Sequence, residues 1–368
     1  MHSDPALIAA RRHAIHQSLF APATLQQAID RLGFVQADPI RSPARAQDLI
    51  LRQRVDGYRA GDLERDYPAL DVEEDYLYAY GFLSRPVWNL LHPRAHSRMG
   101  AFERKVLDTV NRLGEVHPSA LESHLGRRRV VNAWGGYSKA TTRALEELHY
   151  RGLVRIARRE NGIRVYKPAT PPDQDVVPGE RLRKLVTALV RIFAPTPEKT
   201  LHALVARYRH LGNPRGMVKR LVAAGELRRA LIDDVAYLWP AGDLIQAAAP
   251  RAVRFLAPFD PVVWDRARFE HLWGWPYRFE AYTPIPKRIR GYYAMPLLWD
   301  ECFAGWANAT FAARAGKLDV KVGFIGKRPR EPEFGRELDA EIARLDTFLK
   351  GRPDGHHDDQ TARMQTGG

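Results

Sequence analysis

The residues best placed to do chemistry in this 368-residue chain lie in one short run, Gly33-Phe34-Val35-Gln36-Ala37-Asp38-Pro39-Ile40. Gln36 and Asp38 interrupt an otherwise apolar stretch at a spacing of two, and in extended backbone that spacing turns both side chains to one face. A carboxylate is a base and a fixed negative charge, and a carboxamide both donates and accepts hydrogen bonds. Pro39 disfavours helical backbone at Asp38, which favours the extended geometry. A structural role competes with chemistry here: Asp38 caps a helix whose first residue is Pro39. On spacing alone the cap is the better account.

Elsewhere the sequence excludes more than it offers. Cys302 is the only cysteine, so a disulfide framework, a cysteine-based zinc site and a cysteine-ligated iron–sulfur cluster are ruled out and a reducing compartment fits. His356, His357, Asp358 and Asp359 are adjacent on a Gly-rich tail, a poor basis for a closed metal site. Neither a phosphate-binding loop ending in Gly-Lys-Ser/Thr nor a dinucleotide glycine fingerprint is present, which argues against a nucleotide-dependent enzyme. No metal and no cofactor are expected. Lys and Arg number 57 against 43 for Asp and Glu, leaving a formal charge of +14, the sign that attracts a polyanion; charge alone does not choose between nucleic acid and an anionic membrane surface. The first fourteen residues mix Asp4, Arg11, Arg12 and His13 into their apolar positions and never reach the core of a signal peptide, and no stretch is apolar enough to span a bilayer. A soluble, cytoplasmic protein without a membrane partner is expected.

The elements that must position Gln36 and Asp38 are read from periodicity. With 45% hydrophobic residues, the chain can bury more than one core, and two to four compact units are expected. The clearest lies between Pro118 and Pro168: a short helix over 119–125, a second helix over 138–151 with Ser138 as N-cap and Gly152 as its stop, and then a hairpin. That order is a winged helix. Ala144, Leu145 and Leu148 face its core, while Lys139, Thr142, Arg143, Glu146 and His149 form the opposite face. The hairpin pairs 154–159 with 163–166 around Asn161-Gly162, because a tight primed turn needs positive φ at both central residues. Arg158 and Arg159 then sit near the wing tip. A similar order recurs as a helix over 196–211, a turn at Gly212-Asn213-Pro214, a helix over 215–224 and a hairpin over 227–239. Residues 168–179 read as a linker. Strand-like runs follow at 277–282, 290–298, 301–311 and 318–324, then a helix over 335–349 and a polar tail over 351–368.

The expected fold is therefore α+β, with tandem winged-helix units followed by a β-rich segment. Its divisions are 1–115 (a winged-helix-like domain carrying Gln36 and Asp38), 116–172, 180–245, 250–326 and a charged helix with tail over 327–368. Three segments together carry a family likeness: the Gly33–Ile40 run, Arg41-Ser42-Pro43-Ala44-Arg45-Ala46-Gln47-Asp48-Leu49, and Ala257-Pro258-Phe259-Asp260-Pro261-Val262-Val263-Trp264-Asp265-Arg266. With Trp134, Tyr137-Ser138-Lys139, Tyr277-Arg278-Phe279-Glu280-Ala281-Tyr282, Lys287-Arg288, and Gly291-Tyr292-Tyr293 leading to Pro296-Leu297-Leu298, they resemble the AlkZ/YcaQ-like family of winged-helix DNA glycosylases over most of residues 25–324.

That resemblance implies that Gln36-Ala37-Asp38 is the Gln-apolar-Asp tripeptide that carries catalysis. It further implies a metal-free monofunctional glycosylase that excises N7-alkylated purines from double-stranded DNA and unhooks interstrand crosslinks. Asp38 would stabilise the developing cation and act as base while Gln36 orients a water. Lys139, Arg143, Arg158 and Arg159, with Arg41, Arg45, Lys287 and Arg288, are the expected DNA contacts, and a monomer is expected. The chain departs from relatives in three ways. Tyr76-Leu77-Tyr78-Ala79-Tyr80-Gly81 lacks a His and a Glu, Asn308 and Ala313 stand where Asp is frequent, and no His-apolar-Pro tripeptide occurs. A non-catalytic winged-helix DNA binder or regulator is the rival expectation.

Overall fold

The computed structural model describes residues 4–94, 98–131, 137–169, 176–243 and 251–351. Trp134 and the polar tail beyond 351 lie outside the described residues.

In the first unit, helix Leu25–Leu32 opens on a capping box in which Thr24 and Gln27 bond each other's backbone N–H, and closes at Gly33 with φ +71°. Short strand Phe34–Gln36 and helices Ala46–Leu51 and Asp62–Asp66 follow, then a hairpin of Val72–Tyr76 and Tyr80–Ser84. Helix, strand, helix, helix and hairpin is winged-helix order. Strand Tyr80–Ser84 lies central in the sheet, pairing antiparallel with Phe34–Gln36 (Gln36 opposite Gly81) and with Val72–Tyr76. The preceding helix Pro5–Ser18 belongs elsewhere: its buried Ala14 and Ile15 pack towards the C-terminal helices Pro261–Trp264 and Arg266–Trp273.

The second unit contains helices Ala101–Leu113, Pro118–Leu125 and Ala140–Tyr150 and the hairpin Val154–Glu160/Ile163–Pro168. Asn161 and Gly162 carry the expected positive φ, 50° and 78°. Two details correct the sequence expectation. The second helix starts at Ala140, because residues 137–139 pair as a strand with Arg129–Val131, so Ser138 is not its cap and Lys139 holds the N-cap position without a side-chain capping bond. His149 is buried and packs against Tyr166, so it leaves the polar face to its neighbours. Gly152 ends the helix at φ +75°, and a Cβ there would collide with the His92 ring of the first unit.

The third unit gains a helix that periodicity did not single out, Pro178–Ile192, which contributes Leu182, Leu185, Val186, Leu189 and Val190 to the core. The single helix expected over 196–211 is a strand, Thr196–Pro197, paired with Val235–Pro240, followed by helix Glu198–Val205 and a 3-10 segment, Ala206–Leu211. Asn213 then caps helix Pro214–Ala223 through Gly216 N–H at 3.0 Å. The closing hairpin, Leu227–Ile232/Val235–Pro240, turns at Asp233 and Asp234, both at positive φ.

The C-terminal sheet runs in chain order through Val253–Phe255, Met295–Trp299, Cys302–Ala312 and Lys317–Phe324, all antiparallel. No strand forms over 277–282, and the one expected over 290–298 begins only at Met295. Tyr277 instead spends its hydroxyl on Ala294 O at 2.7 Å, and the Glu280 carboxylate accepts three consecutive N–H groups, from Ile289, Arg290 and Gly291. Local polar bonds thus replace a ladder. Helix Pro332–Leu349 packs on the first strand through Phe334, Leu338, Leu345 and Phe348. One hydrophobic core joins this helix, the C-terminal sheet, the first unit and the helices of the second.

Candidate active site

Strand Phe34–Gln36 can approach Tyr80–Ser84 closely only because Gly81 lacks a side chain: a Cβ there would strike Val35 O and the Phe34 ring. Pairing continues one residue further, with Ala37 N–H donating to Tyr80 O at 3.0 Å. Asp38 follows outside the sheet, ahead of Pro39. No helix begins at Pro39; the next starts at Ala46. The Asp38 carboxylate is half-buried and its Oδ1 accepts from Ile40 N–H at 2.9 Å, a local turn in place of a helix cap. Its Oδ2 has no protein partner among the described residues. Burial pushes the Asp38 carboxyl above the ordinary carboxylate value, against the pull of the Ile40 N–H. Gln36 Oε1 is buried and likewise lacks a partner among the described residues.

Ala37, Ile40, Phe259 and Phe279 pack onto the core cluster that contains Tyr293, with Phe259 to Phe279 at 5.1 Å and Phe279 to Tyr293 at 5.3 Å between ring centroids. Phe259 is fixed by its neighbour Asp260, whose fully buried carboxylate pairs with Arg54 through bonds of 2.8 and 3.0 Å. Beyond Phe279 the loop carries exposed Tyr282, Ile285, Lys287 and Ile289. Arg288 lies over the Tyr292 ring at 5.1 Å and donates to Thr283 O. Asn308 serves this loop by donating to Arg290 O, and Ala313 lies exposed beyond the strand end.

Sequence reasoning missed the densest charge cluster, Glu73-Glu74-Asp75 on strand Val72–Tyr76, all three buried. Glu73 meets Arg85 and Arg155, and burial outweighs both cations to push its carboxyl up to about 7. Glu74 accepts from Tyr80 Oη at 2.7 Å and from Arg159 Nε at 3.1 Å. Asp75 accepts from Trp88, His92 and Arg94 at 2.8–3.0 Å, and against its own burial His92 and Arg94 hold its carboxyl below the ordinary range. Three acids preceding an aromatic run were the available signal, and nothing in their spacing told that cations from a separate hairpin cover them.

The expected DNA contacts divide accordingly. Arg159 turns back from the wing to Glu74, and Arg158 pairs with Glu115 and Glu160. Arg45 pairs with Glu64 and lies in the field of Arg41 and Arg159. Exposed Lys139 bonds Glu122 at 2.7 Å, and Arg143 is exposed on the same helix end. Lys287 and Arg288 stand on the loop that continues the aromatic wall. Among the described residues no group of side chains has the makings of a metal site, and no helix is long and apolar enough to cross a membrane.

A family model described as DNA glycosylase AlkZ-like matches residues 29–348. Among solved structures the chain is similar to the Streptomyces sahachiroi DNA glycosylase AlkZ, with a TM-score of 0.60 and 13% sequence identity, over 96% of this chain and 99% of that one. At that identity the likeness is one of fold, and it spans all the units described above.

Proposed function

The chain belongs to the AlkZ-like DNA glycosylase family, and from that premise we propose that it hydrolyses the N-glycosidic bond of N7-alkylated purines in duplex DNA, with Asp38 and Gln36 at the reacting centre. The state of Asp38 carries this proposal. It is a carboxylate freed from helix capping, with one oxygen fixed by Ile40 N–H and the other unpartnered, two residues along the chain from a partnerless Gln36 carbonyl. A buried polar group left unpaired costs about 1–3 kcal/mol, an expense that a reactant can repay.

Alkylation at N7 makes the purine a cationic leaving group, so its departure needs no general acid. The C1′–N9 bond breaks with its electron pair passing to the purine ring, which becomes neutral, and positive charge develops on the sugar. Asp38 stabilises that charge, and a water oriented by Gln36 bonds C1′ while its proton passes to the Asp38 carboxylate and then to solvent. The product is an abasic site. One such excision at a crosslink would unhook the strands, leaving the bridged purines on the opposite strand. Arg41 and Arg45, which follow Asp38 in the chain, and Lys287 and Arg288 on the loop beyond Phe279 would hold the backbone, supplying affinity without sequence choice.

The test is incubation with a duplex carrying one N7-methylguanine, followed by detection of the released base and of strand scission at abasic sites under alkali. Release is expected. Binding without release would instead favour a non-catalytic DNA binder.

A further inference from the structure

Tyr293 is 2% exposed, yet its hydroxyl has no hydrogen-bond partner among the described residues. Its equally buried neighbour Tyr277 shows the usual solution, donating to Ala294 O at 2.7 Å. The Tyr293 ring is pinned edge-on against Phe279 at 89°, in the core on which Ala37 and Ile40, flanking the Asp38 turn, also pack. Asp38 is near enough for its charge to add to burial in pushing the Tyr293 hydroxyl well above its ordinary value. The other titratable or charged groups that act on it are Tyr277, Arg266 and Tyr292. Tyr293 thus brings an unused buried donor into the field of Asp38, whose second carboxylate oxygen is open, and Gln36, two residues before Asp38, carries an unused buried acceptor.

We propose that Tyr293 is a positioning residue for the hydrolysis: its hydroxyl donates to a water that gives its two protons to Asp38 and Gln36 Oε1. The geometry of water then accounts for every group. A buried water is held by two to four polar partners; here three come from the chain, and the remaining lone pair points at C1′. The raised value of the hydroxyl keeps it a donor across the working pH range. This inference rests on Asp38 and Gln36 being the reacting centre.

Tyr293→Phe keeps the ring packing and removes only the donor. Single-turnover release of N7-methylguanine should fall roughly 10²-fold, with DNA affinity and melting temperature unchanged. A second readout needs no turnover. The Asp38 carboxyl, followed by ¹³C NMR and assigned with Asp38→Asn, should titrate at higher pH in Tyr293→Phe than in the wild-type chain, because a water that stabilises the carboxylate has been loosened. Full activity with an unmoved titration would overturn the proposal, as would an activity loss that only tracks lost folded protein. If the wild-type chain released no base, the functional reading would fail, while the titration would still decide whether Tyr293 holds a water on Asp38.

Discussion

Arg54→Met removes the cation of the most deeply buried ion pair among the described residues, Arg54–Asp260, both of whose side chains are 0% exposed. The pair is bidentate, and Arg54 also donates from Nε to Ser18 O and from Nη1 to Ile50 O, each at 2.7 Å. It fastens the first unit to the segment that carries Phe259. Removing one partner strands a buried carboxylate, which typically costs about 3–5 kcal/mol, whereas replacing both partners by apolar groups is often close to neutral. With an unfolding entropy of about 2.1 cal/mol/K per residue, a chain of 368 residues has roughly 0.8 kcal/mol/K, so the single variant should melt about 4–6 °C lower. Differential scanning calorimetry at pH 7 measures this. Arg54→Met combined with Asp260→Leu should recover most of the loss, less about 1 kcal/mol for the N-cap bond that Val262 N–H donates to Asp260. A single variant melting within a degree of wild type, or a double variant with additive losses, would refute the reasoning.

Two further outcomes test the electrostatics. Changing Lys287 and Arg288 together to Ala should reduce the slope of log affinity for duplex DNA against log salt by about 1.8 if each meets a phosphate, read by fluorescence anisotropy between 50 and 200 mM salt; Arg159→Ala, whose guanidinium is already held by Glu74, should change it less. Glu73 titrates in the folded protein at about 7, above its ordinary 4.5. Its contribution to stability is therefore fully present below about pH 4.5 and lost as pH rises through about 7, so Glu73→Gln should flatten the pH dependence of urea unfolding across that window, and an unchanged profile would contradict the assignment.

What could be read from the sequence was local. Asn161-Gly162 announced a hairpin because its turn chemistry is carried by two residues, and the apolar stripe at Ala144, Leu145 and Leu148 announced a helix because its period is. Gln36 and Asp38 stood out as polar interruptions, but their fate depended on what followed Pro39. Spacing favoured a helix cap; the turn to Ile40 N–H replaced it because residues 39–45 never become helical. Strand pairing between Arg129–Val131 and residues 137–139, and between Thr196–Pro197 and Val235–Pro240, brings together segments whose own patterns are silent. Residues 277–282 show the converse: an alternating, aromatic pattern that suits a strand is drawn off by Glu280 bonding the 289–291 backbone. The acids at 73–75 and the orphaned Tyr293 hydroxyl are legible only once their distant neighbours are in place.

The most direct test of the central claim is single-turnover release of N7-methylguanine by Asp38→Asn. Asn keeps the size of Asp and an oxygen able to accept from Ile40 N–H, so the turn, the melting temperature and DNA affinity should be preserved. It lacks the charge that stabilises the developing sugar cation and the base that takes the proton from water. The account predicts a loss of roughly 10²-fold or more in rate. Full activity in Asp38→Asn, or a loss no larger than the fall in folded protein, would show that Asp38 only shapes the turn and that the chemistry lies elsewhere.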